Sequence, residues 1–317
     1  MSEIAVVGAG AWGTALAIQA ARAGNDVVLW ARSGADAIAA SRESPRLPGF
    51  RLPANVRVTG VLAFAAKTIL VAVPAQSLRE IIGLLPASAE LTICAKGIET
   101  GTLQLPLEIA AALRPDSPAA VLTGPNFAHE IAAGLPAAAI VSGMDQVMRD
   151  GVAKRLATPL FRLYGHDDPI GAQLGGAAKN VIAIAAGAVM GAGLGENARA
   201  ALIARGLAEL ARLIVALGGR AETAMGLSGL GDLLLTCTGS SSRNFSLGLA
   251  LGQGATLASI LASRRAVTEG VATAPALLAR AKGVDMPICA AVAALLSGRT
   301  NLQDAIGSLL ARPRRDE

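Results

Sequence analysis

The stretch Ile4-Ala5-Val6-Val7-Gly8-Ala9-Gly10-Ala11-Trp12-Gly13 decides the fold. An apolar strand runs into Gly8-x-Gly10-x-x-Gly13, and a helical sequence follows at once. In that context Gly8 permits the tight turn, Gly10 lets the backbone approach a diphosphate, and Gly13 allows close helix packing, with the diphosphate at the helix N-terminus. A dinucleotide is therefore the expected ligand of the N-terminal half. The second strand ends in Trp30-Ala31-Arg32-Ser33, where an NAD-selective site usually carries Asp or Glu for the ribose diol. Arg32 suits a 2′-phosphate, so NADP is favoured, with NAD possible.

Outward from this stretch, short β-rich runs alternate with helical ones. Residues 3–7, 26–31, 68–73, 91–95, 120–122, 137–141 and 161–164 read as strands; 12–23, 76–85, 103–113 and 146–157 read as helices. Alternation of this kind implies a parallel sheet wrapped by helices on both faces. From about Gly171 the strand signals stop and Ala/Leu helical periodicity takes over, as in 198–217, 247–251, 257–261 and 275–281. Gly165-His166-Asp167-Asp168-Pro169 is the natural boundary. The expected fold is α/β: an N-terminal Rossmann-type doubly wound sheet over residues 1–168, then an all-α C-terminal domain over 169–317.

Composition agrees. A chain of 317 residues is comfortable as two domains, and 53% hydrophobic with 3% aromatic residues calls for closely packed Ala-rich helices. Cys94, Cys237 and Cys289 are odd in number and show no paired spacing, which points to a reducing compartment, the cytoplasm, and away from disulfides and thiolate metal sites. The N-terminus has no basic leader, so no signal peptide is expected. The longest uncharged apolar run, Val181 to Gly195, falls short of the ~20 residues of a membrane span and reads as a buried central helix. The net charge of +5 is dispersed, with almost no aromatic groups to stack on bases, which argues against nucleic acid. The basic tail Arg312-Pro313-Arg314-Arg315 reads as a frayed, solvated terminus.

Lysine usage narrows the chemistry. There are five lysines (Lys67, Lys96, Lys154, Lys179, Lys282) against 23 arginines, so a retained Lys points to a task Arg cannot do, such as losing a proton. Lys179-Asn180, at the head of the apolar run, is the leading acid/base candidate; the plain alternative is a Lys snorkelling from a helix start. With only His129 and His166 and no Cys/His/Glu cluster, a zinc-assisted oxidation is disfavoured. The sole tyrosine, Tyr164, has Asp168 at the fourth position after it, which removes a Tyr-x-x-x-Lys dyad. His129 stays open as a second acid/base.

A third constellation is Gly226-Leu227-Ser228-Gly229-Leu230-Gly231-Asp232-Leu233-Leu234-Leu235-Thr236-Cys237, followed by Ser241-Ser242-Arg243-Asn244. On a helix, Asp232 and Thr236 share a face. Arg243 with Ser242 and Asn244 offers a fork of donors suited to phosphate.

Together with Ala95-Lys96-Gly97-Ile98-Glu99 and Thr123-Gly124-Pro125-Asn126-Phe127-Ala128, these motifs resemble, in order and spacing over nearly the whole chain, the NAD(P)-dependent sn-glycerol-3-phosphate dehydrogenases of the bacterial, soluble, biosynthetic type. The resemblance implies reversible reduction of dihydroxyacetone phosphate to sn-glycerol 3-phosphate for glycerophospholipid synthesis, by a homodimer. It implies Lys179 as proton acceptor in the oxidative direction. Lys96, Gly124, Asn126, Asn180, Asp232, Thr236, Ser242, Arg243 and Asn244 would face the substrate. Gly8, Gly10, Ala11, Trp12, Gly13, Arg32, Lys96, Ala128, Arg243, Val267 and Glu269 would face the cofactor, and no metal is implied. Two departures stand out: Asn126 replaces the usual Ser or Thr, and Ala75-Gln76 replaces a frequent Ser-His. A hydroxyacid or ketopantoate-type reductase, or a dinucleotide-sensing regulator, would share the first half.

Overall fold

The computed structural model describes residues 3–63, 65–264 and 267–313. Arg314 and Arg315 of the basic tail lie outside the described residues. The chain forms two compact units, one made of Met1–Lys96 and Gln104–Gln173, the other of Gly97–Leu103 and Leu174–Glu317.

In the first unit, strands β1 (Glu3–Val7), β2 (Asp26–Trp30), β3 (Val56–Thr59), β4 (Thr68–Val71), β5 (Glu90–Ile93), β6 (Ala119–Thr123), β7 (Ala137–Ser142) and β8 (Phe161–His166) form one sheet. Its order is β3-β2-β1-β4-β5-β6-β7-β8. Helices α1 (Ala11–Arg22), α2 (Ala35–Ser41), α3 (Leu78–Leu84), α4 (Pro106–Leu113), α5 (Ala128–Ala133) and α6 (Gln146–Leu156) connect the strands. The order reverses at β1, between β2 and β4, which is the switch point where doubly wound sheets take ligands. Along β1 both sets of alternate residues are dry: Ile4 and Val6 on one face, Ala5 and Val7 on the other. Burial on both faces is why these strands read as continuous apolar runs. Ile4 and Val6 join Leu16 and Ile18 of α1, Ile131 of α5 and Met148, Val152 and Leu156 of α6 in one core.

The sheet is not wholly parallel. β7 runs antiparallel to β6, through Leu122↔Val141, and β8 runs parallel to β7. A strand's apolar pattern records burial and not direction, so the parallel expectation failed there. β3, α2 and α5, all short, were not read from the sequence either.

Eight helices make up the described helical part. α7 (Pro169–Gly191) is followed by α8 (Gly195–Ala216), α9 (Asp232–Thr238), α10 (Arg243–Gly252), α11 (Leu257–Ser263), α12 (Glu269–Arg280), α13 (Pro287–Leu296) and α14 (Leu302–Leu310). The division between units falls inside α7. With 23 residues α7 is long and apolar enough to cross a membrane by length and composition, yet 89% of its most apolar window is buried within the protein. The expected central helix is thus present but longer, and it begins at Pro169, the favoured first helical position for proline. Pro275, by contrast, does not open a helix: α12 begins six residues earlier and carries it inside.

Two glycine pairs let α7 and α10 cross closely. A Cβ on Gly187 or Gly191 of α7 would sit 2.0 Å from the carbonyl oxygen of Phe245 or 2.2 Å from that of Leu249. A Cβ on Gly248 or Gly252 of α10 would sit 1.9 Å from the Ile184 oxygen or 2.4 Å from the Ala188 oxygen. Only glycine lets these backbones touch. Elsewhere Glu209 of α8, 1% exposed, accepts from the first free amides of α13, Ile288 N at 2.6 Å and Cys289 N at 3.2 Å. Arg312, exposed, pairs with Asp285 (Oδ2 2.7 Å), so the described start of the basic tail is solvated with one ion pair to the body of the unit.

Candidate active site

Each unit carries its own group of candidate residues. In the first, Gly8 has φ +116°, and a Cβ there would meet the Ala72 oxygen at 2.8 Å, while its amide donates to the Trp30 carbonyl (3.1 Å). A Cβ on Gly13 would lie 1.8 Å from the Gly8 oxygen. Gly10 is different. No atom lies within 4 Å of its Cβ position, so its absent side chain leaves room for something outside the protein. α1 starts at Ala11 with no side-chain cap and no acid in its first turn, and Trp12 Nε1 is buried without a partner. Such an N-terminus offers main-chain N–H groups and a positive dipole end to an anion. These residues fit a dinucleotide diphosphate. Arg32 lies exposed just past β2.

Across the same unit Lys96 Nζ donates to the Gly124 carbonyl at 3.0 Å. Gly124 takes φ +149°, and a Cβ there would press on Ala139 Cα at 2.9 Å, so the turn after β6 needs glycine. Both polar atoms of the Asn126 side chain are buried with no partner, a state a ligand would relieve. Ala128 begins α5. His129 is exposed, stacked on Phe127 (centroids 5.6 Å apart), with Nε2 3.9 Å from Glu130.

In the second unit Lys179 lies in the third turn of α7, 7% exposed, so it does not snorkel from a helix start. Its ammonium bonds Asp232 Oδ1, and donates to Thr236 Oγ1 at 3.1 Å. Asp232 and Thr236 do share a helical face: the Thr236 hydroxyl donates to the Asp232 carbonyl at 2.6 Å. The glycine run before them explains the alignment. Leu227–Gly231 forms a π-turn, a form often found at functional sites. A Cβ on Gly175 would sit 2.4 Å from the Ser228 oxygen, so glycine lets this turn lie on α7. One turn further along the same face of α7, Lys179 then meets Asp232.

Neighbouring polar groups are tied to this cluster. Asn244 Nδ2 donates to Asn180 Oδ1 (2.8 Å), and Asn244 Oδ1 accepts from Gly270 N (3.0 Å). Ser242 caps α10, accepting from Phe245 N at 3.2 Å. Arg243 is exposed, with Nη1 donating to the Val267 carbonyl at 2.8 Å; Glu269 opens α12 nearby in sequence. Ser242, Arg243 and Asn244 therefore do not act as three equal donors, since Asn244 is engaged inward and Arg243 faces out. Cys237, beside this cluster, is buried, and burial pushes its thiol up to about 12, against the nearby Lys179 charge. That thiol is no nucleophile at neutral pH.

Sequence reasoning missed the paired Gly-x-x-x-Gly crossing of α7 and α10 and the interplay of Arg243 with Arg264. The four-residue glycine spacings were visible; their meeting required the fold.

Family models for the NAD-dependent glycerol-3-phosphate dehydrogenase N-terminus and C-terminus match residues 3–148 and 168–307. A glycerol-3-phosphate dehydrogenase [NAD(P)+] of Acidiphilium cryptum is 58% identical over 99% of this chain and 98% of its own length. One from Gluconobacter oxydans is 50% identical over 98% and 97%. The crystal structure of glycerol-3-phosphate dehydrogenase from Coxiella burnetii superposes with a TM-score of 0.94 at 37% identity, covering 98% of this chain and 99% of that one.

Proposed function

The chain belongs to the NAD-dependent glycerol-3-phosphate dehydrogenase family, and from that premise we propose how its own residues carry out the reaction. The protein is an NAD(P)-dependent oxidoreductase that interconverts dihydroxyacetone phosphate and sn-glycerol 3-phosphate, the latter feeding glycerophospholipid synthesis. A bound nicotinamide cofactor would supply or accept the hydride at C2 of the substrate. Gly8, Gly10, Ala11, Trp12 and Gly13 would hold its diphosphate, and Arg32 would favour the 2′-phosphate of NADP.

In the reductive direction, Lys179 gives a proton to the C2 carbonyl oxygen as that oxygen gains charge; in the oxidative direction it takes the proton back. Asp232 and Thr236 fix the ammonium, so the proton leaves from one place. Lys96, oriented by the Gly124 carbonyl, stabilises the developing oxyanion, an effect commonly worth about 3 kcal/mol for a pre-aimed donor. Arg243 takes the substrate phosphate, and Asn126 and Asn180 would each be a further polar contact to the substrate. Residues 1–168 form the dinucleotide-binding domain, which also supplies Lys96 and Asn126 to the substrate, and 169–317 form the helical substrate-binding domain. The protein works in the cytoplasm as a homodimer, which sedimentation velocity would test.

The observation that carries this reading is the buried Lys179 ammonium held between Asp232 and Thr236. NADPH oxidation followed with dihydroxyacetone phosphate and, separately, with a 2-keto acid tests it. Turnover with the phosphorylated ketone alone is expected; turnover with the keto acid alone would move the protein to a hydroxyacid-type chemistry, and binding without turnover would make it a sensor.

A further inference from the structure

Arg264 ends α11 in extended backbone, 21 residues beyond Arg243. Its Nη1 donates to the Arg243 carbonyl at 2.8 Å, and its Nη2 donates to Ser246 Oγ at 3.0 Å. The Ser246 hydroxyl donates in turn to the same Arg243 carbonyl, at 3.2 Å. Arg243 reaches the other way: its own Nη1 donates to the Val267 carbonyl, three residues past Arg264. The two arginines are thus interlocked: the Arg264 side chain holds the Arg243 backbone, and the Arg243 side chain holds the Val267 carbonyl.

The arrangement carries an electrostatic tension. Burial first, and then the neighbouring Arg243 charge, pull the Arg264 guanidinium down from its ordinary value. An arginine in protein nonetheless keeps its proton, so the two positive charges repel one another. A dianion brought to this end of α10 relieves the repulsion and meets the helix N-terminus as well. We propose that Arg264 is a positioning residue for phosphate recognition, holding the first turn of α10 so that the exposed Arg243 guanidinium is presented at a fixed angle, and adding a second positive charge to the field there. The inference rests on the reading of the reaction given above and extends it to a residue that does not touch the substrate.

Steady-state kinetics at saturating NADPH on wild type, Arg264→Ala and Arg264→Lys test it, using dihydroxyacetone phosphate, unphosphorylated dihydroxyacetone, and inorganic phosphate as inhibitor. Arg264→Ala is expected to raise KM for the phosphorylated ketone ~10-fold, the scale of one lost charge-assisted hydrogen bond, and to weaken phosphate inhibition by a similar factor. kcat should fall less, and kcat/KM for dihydroxyacetone should move far less than that for its phosphate. Arg264→Lys, which keeps the charge and one donor, should recover most of the KM and phosphate effects. Equal losses on both ketones would reduce Arg264 to a structural role and overturn the proposal, as would an unchanged KM for the phosphate in an active Arg264→Ala variant. A wild type that does not turn over dihydroxyacetone phosphate would instead sink the functional reading, and this inference with it.

Discussion

Between Gly8 and Gly13 the proposed contacts are main-chain N–H groups within five residues of one another, while around Lys179 side-chain atoms meet from positions 53 and 57 residues away in sequence. The first region is made by leaving matter out: a Cβ on Gly13 would stand only 1.8 Å from the Gly8 oxygen, and a Cβ on Gly10 would have no atom within 4 Å. The second is made by bringing helices together until a buried ammonium, a carboxylate and a hydroxyl satisfy one another. Local geometry suffices to bind a diphosphate, whose recognition is electrostatic and tolerant. Proton transfer needs one donor at one place, and only tertiary packing supplies that.

The comparison can be broken most severely at the helix crossing. Gly248→Ala places a methyl 1.9 Å from the Ile184 carbonyl oxygen, in the helix that also carries Lys179. Overpacking against backbone costs about 3 kcal/mol or more. Urea unfolding should show that loss, and turnover should fall more than NADPH affinity. Stability equal to wild type would mean the crossing has slack and does not set the position of Lys179.

A smaller and cleaner effect is expected in the first region. Arg32→Glu puts a carboxylate where the 2′-phosphate is expected and a ribose diol acceptor in its stead. The ratio of NADPH to NADH affinity should fall ~10-fold or more, about 1.4 kcal/mol, with kcat on NADH preserved. Equal weakening of both cofactors would show that Arg32 serves the fold alone.

The smallest effect belongs to a buried acid away from both regions. Burial raises the Glu209 carboxyl above its ordinary value, opposed by the amides of Ile288 and Cys289 and by Arg212. A carboxyl protonated more readily in the folded chain than in the unfolded one stabilises at low pH and loses that contribution as pH climbs through the folded value. The non-titrating Glu209→Gln lacks this dependence. Its melting temperature relative to wild type should therefore climb as the pH rises from below the ordinary carboxylate range to above it. A flat or falling difference in differential scanning calorimetry would reverse the sign assigned here.

The same contrast governs how much of the molecule was legible in its sequence. β1, the glycine turn and α1 could be read within a residue because the turn chemistry is local and the strand is flanked by its own punctuation. The start of α7 could not. Leu174, Ala177, Ala178 and Val181 to Ala186 are buried all round, so there is no polar face to mark a helical period, and Lys179 looked like a helix head when it sits in the third turn. α13 was passed over where small apolar residues blur the pattern, α14 was passed over although Leu302, Ile306 and Leu309 keep helical spacing, and the direction of β7 has no local mark at all. The resemblance to a family implied substrate-facing roles for Asp232 and Arg243; it did not indicate that Asn244 is turned inward or that Arg264 holds the Arg243 carbonyl.

The central claim, that binding belongs to the glycine turn and proton transfer to Lys179, is tested most directly by one preparation of Lys179→Met measured twice. Calorimetric titration should give an NADPH Kd close to that of wild type, while turnover of dihydroxyacetone phosphate falls at least ~10²-fold, the usual scale for a lost general acid or base. Turnover near the wild-type rate in the folded variant would contradict the account and return the proton to another group, with His129 the next to examine.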